Sequence, residues 1–103
     1  MTRIIRHKFK AIPTTHDGIR FASKKEANRY LELKRLQESG EIVYFHLQPR
    51  FDLPGKVKYY ADFLIFWEDG TATYEDVKGF KTPEYKIKKK ITEAKYPIQI
   101  KEI

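Results

Sequence analysis

The chain has 103 residues, enough for one domain with a modest core, and its 41% hydrophobic, 34% charged and 15% aromatic content fits a folded chain and excludes a disordered one. The absence of cysteine excludes disulfide staples, thiolate catalysis and cysteine-ligated zinc. The net charge of +7 is uneven: residues 1–25 sum to +6 and 79–103 to +4, around a middle of −3. Basic ends around an acidic centre suit a protein that grips a polyanion and cuts it with carboxylate-held metal, against the plainer account of an ordinary basic surface.

Residues 1–12 alternate weakly between basic and apolar, which reads as a basic arm or an edge strand, with Arg3, Arg6, Lys8 and Lys10 as candidate phosphate contacts. Pro13 to Gly18 reads as a turn from which Ile19-Arg20-Phe21 returns, and His16 beside Asp17 is a surface turn histidine. Ser23-Lys24-Lys25-Glu26 has the form of a capping box, opening a helix to about Ser39 with Gly40 as its stop. Its apolar positions are Ala27, Tyr30, Leu31, Leu33 and Leu36, with Arg29, Glu32 and Arg35 in water. Glu26 projects at the edge of that stripe. It either caps the Ser23 N–H or aims a carboxylate at a site on the sheet.

Glu41 to Leu47 is expected as a strand, with Ile42, Tyr44 and His46 on one side and Val43, Phe45 and Leu47 on the other. Gln48-Pro49-Arg50 ends or bends it, and Phe51 to Lys56 is expected as a loop. Gln48 is a candidate to contact a nucleotide or water at an ion, or simply local backbone.

A hairpin over about 57–67 and 71–78 follows, each arm carrying an acid where a buried strand normally has an apolar residue. A two-residue Asp69-Gly70 loop sets Asp62 opposite Val77. A three-residue Glu68-Asp69-Gly70 loop sets Asp62 opposite Asp76, with Lys78 on the same face. The second register is preferred, because glycine suits the left-handed third position. Two adjacent carboxylates repel unless a cation lies between them, and Mg²⁺ takes such hard oxygen ligands.

Thr82-Pro83 opens a second helix with a core stripe of Ile87, Ile91 and Ala94. Lys81, Lys86, Lys89 and Lys90 are candidate nucleic-acid contacts. Residues 97–103 read as a last strand joining beside the one that ends at Lys78, in parallel through the crossover helix. The predicted class is α/β, more narrowly α+β: one domain, 1–103, with a central mixed sheet, a helix before it and a crossover helix after the hairpin. Neither a signal peptide nor an apolar run of about 18 residues is evident, so a cytoplasmic location and no membrane partner are expected.

Asp62, then Asp76-Val77-Lys78 on the next strand, with Glu26 on a preceding helix, resembles the PD-(D/E)xK nuclease superfamily, whose core is that of restriction endonucleases and phage junction-resolving endonucleases. More closely, Asp17-Gly18, Phe21, Ser23, Glu26, Arg29-Tyr30, Gln48-Pro49, Phe51, Tyr60-Ala61-Asp62-Phe63, Glu75 to Gly79 and Thr82 are similar to a family of small phage and prophage proteins described as uncharacterised nucleases. The resemblance implies a restriction-endonuclease-like core and an Mg²⁺-dependent DNA endonuclease, with Mn²⁺ as substitute. It implies Asp62, Asp76 and Glu26 as metal ligands and Lys78 as the catalytic lysine. It further implies DNA, branched DNA included, as substrate in the host cytoplasm, and a homodimer. Ala61 stands where proline is usual, and Asp76 where glutamate is commoner. The alternative is a nucleic-acid-binding or phage accessory protein that keeps the fold without catalysis.

Overall fold

Short-range chemistry sets the elements of the computed structural model, which describes residues 12–103. The expected N-terminal arm and its Arg3, Arg6, Lys8 and Lys10 lie outside those residues. The first turn is tighter than expected. Thr14–His16 (β1) and Ile19–Phe21 (β2) pair antiparallel, and Asp17 (φ 51°) and Gly18 (φ 73°) alone form the mirror-image turn that suits hairpin twist. Tyr30 then donates its hydroxyl to Asp17 Oδ2 at 2.7 Å, fixing the turn to the next helix.

That helix is Lys24–Glu38 (α1), capped by Ser23, whose side chain accepts from the Glu26 N–H at 3.1 Å. Its buried face is Glu26, Ala27, Tyr30 and Leu33. Leu31 and Leu36 pack partly buried against the same core.

Four strands form the central mixed sheet in the order β3-β6-β7-β8: Ile42–Leu47 (β3), Phe63–Trp67 (β6), Ala72–Asp76 (β7) and Ile100–Glu102 (β8). The helix Pro83–Lys95 (α2) carries the chain from β7 to β8, which run parallel as a crossover connection requires. Thr82 caps α2 by accepting from the Tyr85 N–H at 3.1 Å, and Pro83 occupies the first turn, where no N–H is missed. The fold is thus α+β, with the expected order of helix, hairpin, crossover helix and strand.

Three expectations are corrected. Val43 is a bulge between the pairs Ile42–Trp67 and Tyr44–Phe66, so Ile42 joins Phe45 and Leu47 on the side facing α1 while Tyr44 and His46 face away. Residues 51–56 are not simply a loop: Arg50–Leu53 (β4) pairs with Val57–Tyr60 (β5) around a 3-10 turn at Pro54–Lys56. The strand signal was the alternation of buried Phe51 and Leu53 with exposed Arg50 and Asp52, hidden between two prolines. The first hairpin arm is therefore two strands. The chain breaks at Ala61-Asp62 and passes from the β4–β5 pair into the central sheet.

Strand alternation gives the sheet two faces and the molecule two apolar cores. Phe63, Ile65 and Val77 pack against Phe21, Ala27, Tyr30 and Leu33 on the α1 side. On the other side, Phe51, Leu53, Tyr59 and Ala61 of the β4–β5 segment meet Tyr85 of α2 and Ile100, with Tyr74 packed against them. The α2 stripe is the third correction: Ile87 is 60% exposed, Ile91 and Ala94 are exposed, and the helix buries Tyr85 and Thr92 instead. The Thr92 hydroxyl is satisfied by donating to the Lys88 carbonyl at 2.7 Å, which lets a polar residue face the core.

Candidate metal and nucleic-acid site

The β6–β7 turn positions the site. Pairing of Phe66 with Ala72 and of Ile65 with Thr73, with the Trp67 N–H donating to the Thr71 carbonyl at 2.8 Å, leaves Glu68-Asp69-Gly70 as the three-residue loop. Gly70 sits at φ 90°, a backbone conformation that a Cβ disfavours, and Asp69 Oδ1 accepts from the Thr71 N–H and hydroxyl. This register runs as far as Phe63–Glu75, which brings the chain to Asp62 on one side and Asp76 on the other.

The ladder changes there. The Asp62 N–H donates to the Glu75 carbonyl at 2.9 Å, and Asp62 Oδ2 accepts from the Val77 N–H at 2.7 Å. The carboxylate thus takes the place of a backbone carbonyl at the end of the pairing. On the opposite strand Asp76 Oδ1 lies 3.2 Å from Lys78 Nζ, and Asp76 Oδ2 accepts from the Tyr59 hydroxyl. Lys78 is 12% exposed and its ammonium stands 4.2 Å from the centre of the Tyr85 ring, a cation–π contact. Asp62, Asp76 and Glu26 are fully buried.

Glu75 faces the other way. Its carboxylate receives both ends of the Arg29 guanidinium, Nε at 2.8 Å and Nη2 at 2.6 Å, and Arg29 also meets Glu32. The hydrogen bond to Glu75 is the chief reason that the guanidinium holds its proton more tightly than usual, and burial works against it. Arg29 was expected in water. The pairing explains how an acid sits on the apolar face, and why Glu75 is no rival of Asp76 beside Lys78.

Glu26 occupies the first turn of α1, next to Lys25, whose Nζ donates to the Lys78 carbonyl at 3.2 Å. That turn therefore lies within a lysine's reach of the Asp76–Lys78 segment. Among the described residues, however, no three His, Cys, Asp or Glu side chains are grouped to hold a metal ion, so Glu26, Asp62 and Asp76 do not form the expected three-carboxylate cage. Two carboxylates, Asp62 and Asp76, remain as hard donors that fit Mg²⁺, which commonly takes one or two and fills its shell with water and phosphate oxygens.

Gln48 joins the site through its backbone. Its N–H donates to the Asp62 carbonyl at 2.9 Å, and it adopts φ 50°, uncommon for a residue with a side chain. The candidate phosphate contacts divide. Lys81 Nζ is 3.0 Å and Lys89 Nζ 3.7 Å from the two oxygens of Glu102, whereas Lys86 and Lys90 are exposed on α2. The Glu102 carboxyl is held below the usual range first by the Tyr85 hydroxyl at 2.8 Å, then by these lysines. Reasoning from sequence missed Arg29, Tyr59 and Tyr85. Only the i, i+3 spacing of Glu26 and Arg29 on α1 hinted at the first.

Fold and site together define an α+β domain whose sheet carries a buried carboxylate–lysine pair at the end of its central hairpin. The chain belongs to the family described as "Protein of unknown function (DUF1064)", whose model matches residues 6–102. No curated protein matches it. No helix among the described residues is long and apolar enough to cross a membrane.

Proposed function

We propose that this protein is a metal-dependent DNA endonuclease of the PD-(D/E)xK type, similar to the small phage nucleases and junction-resolving enzymes named above. The observation that supports the reading is the end of the β6–β7 pairing, where buried Asp62 accepts from the Val77 N–H beside buried Asp76, and Lys78 Nζ lies 3.2 Å from the Asp76 carboxylate. Mg²⁺, or Mn²⁺ in its place, would be held by Asp62 and Asp76 and would supply Lewis-acid charge relief at the phosphate.

The residues of the chain do the rest. Lys78, held between Asp76 and the Tyr85 ring, is placed to stabilise the negative charge that develops on the phosphoryl oxygens. Tyr59 fixes the Asp76 carboxylate through Oδ2 and leaves Oδ1 toward the lysine. Glu26, from the neighbouring turn, orients the attacking water. Lys86 and Lys90 grip phosphates without reading bases, with Lys81 and Lys89 exchanging Glu102 for phosphate. A homodimer would offer two such sites to the two strands of a branched substrate.

The complete burial of Asp62 and Asp76 favours a second reading, in which the acids are structural and the domain binds nucleic acid without cutting it. Incubation with duplex, single-stranded, flap and four-way DNA in Mg²⁺ or Mn²⁺ separates the two. Cleavage by the parent, and a loss of at least about 100-fold in Asp76→Asn, supports the nuclease. Retardation of DNA with every substrate left intact supports the binding module.

A further inference from the structure

The outer face of the sheet is covered unevenly. Over β7 and β8 it is closed by α2 and the β4–β5 pair, with Phe51 packed edge-on to Tyr74 at 5.2 Å. Over β3 and β6 none of the described residues closes it. Tyr44 is 47% and Phe66 38% exposed on cross-strand partners, their rings nearly parallel (16°) with centroids 6.3 Å apart. The exposed His46 ring stands edge-on to Tyr44 at 4.7 Å, one row closer to the carboxylates. The outward positions here, Tyr44, His46, Leu64, Phe66 and Ala72, hold neither a carboxylate nor an ammonium.

This open floor lies on the same sheet face as Asp76. Along β7, Ala72 is four residues before Asp76 and opposite Phe66, so the Tyr44–Phe66 row is about 13 Å from the acid. At the 3.4 Å rise of a stacked strand that is a span of about four nucleotides.

We infer that Tyr44, Phe66 and His46 form a stacking platform for unpaired bases, so that the substrate class is DNA with a single-stranded segment next to the scissile phosphate. This rests on the nuclease reading for what happens at Asp76, while the binding it describes requires no hydrolysis. Every base has a π-face, so aromatic rings that are solvent-facing and uncharged hold single strands with little sequence preference. Charge selects this occupant over a second copy of the chain. Two copies each carrying +7 approach against mutual repulsion, whereas a polyanion is drawn in.

The test is titration of fluorescein-labelled oligothymidylate and of a blunt duplex of equal length with the full chain in EDTA, where no cleavage occurs. The parent binds the single strand more tightly than the duplex. Tyr44→Ala and Phe66→Ala each weaken single-strand binding about tenfold and leave duplex binding unchanged, and Tyr44→Trp restores it. The salt slope of the single-strand affinity stays the same in the alanine variants, because no phosphate contact is lost, whereas Lys86→Ala lowers it. Unchanged single-strand affinity in Tyr44→Ala/Phe66→Ala, with the parent's melting temperature kept, overturns the platform. So does sedimentation showing a parent dimer that these substitutions dissociate, which makes the face a contact between copies. A parent that binds single strands through these rings yet cuts nothing in Mg²⁺ keeps the platform and loses the nuclease.

Discussion

Replacing Arg29 by methionine probes the device that turns Glu75 toward α1 and so delivers its neighbour Asp76 to the opposite face. The Arg29 side chain is 14% and the Glu75 side chain 2% exposed, so water does little to screen the pair, and two hydrogen bonds of 2.8 and 2.6 Å are lost together. Removing one partner leaves a buried charge uncompensated, which costs about 3–5 kcal/mol. That is a large part of the roughly 5–15 kcal/mol that holds a small domain together. The contact to Glu32 adds little, because that carboxylate is half in water. Urea unfolding followed by the half-buried Trp67 gives the number. Arg29→Met should lose about 3–5 kcal/mol, and Arg29→Met/Glu75→Leu should recover most of it, because an apolar pair of similar volume replaces the ions at little cost. A single variant that loses less than about 1 kcal/mol, as an exposed pair would, refutes the reasoning. So does a double variant no more stable than the single.

Asp62 separates architecture from chemistry. Asp62→Asn keeps an acceptor for the Val77 N–H and folds, whereas Asp62→Ala orphans a buried donor and loses about 1–3 kcal/mol. Under the hydrolytic reading both abolish cleavage, and an Asp62→Asn protein that cuts DNA at the parent's rate reduces Asp62 to a structural acceptor. Glu102 gives the pH dependence. Its carboxyl is depressed in the folded state, so its stabilising effect is present above its unfolded pKa of about 4.3 and is lost as pH falls through the folded value. Thermal melts of Glu102→Gln should lie below the parent at pH 7 and converge with it in acid. A gap between the two that stays constant across that range contradicts the assignment.

Local chemistry carried much of the fold into the sequence. Ser23 and Thr82 announced both helix starts, and the glycine at the third loop position marked the three-residue turn that sets the β6–β7 register up to Phe63–Glu75. What the sequence hid was tertiary. Ile87, Ile91 and Ala94 have perfect helical spacing, yet Tyr85 and Thr92 face the core, because a ring against the β4–β5 segment buries more surface than an isoleucine would. Periodicity reports that a helix has a stripe, not which side its neighbours take. Arg29 was placed in water because its partner lies 46 residues away. The Val43 bulge moved Ile42 to the opposite side from the one expected, with no proline or glycine to mark it. The Asp76–Lys78 contact was anticipated from two-residue spacing, and the phenol of Tyr59 that completes it came from a strand assigned to the wrong sheet.

That bulge has a bearing on how the protein behaves in a crowded cell. Among the described residues β3 is one rim of the central sheet and β8, three residues long, is the other. A stray extended peptide approaching β3 meets a backbone whose hydrogen-bonding rhythm slips at Val43, and at β8 it finds too short a template. Both rims of the central sheet thus carry a feature that works against edge-to-edge pairing, beside a face that bears exposed aromatic rings.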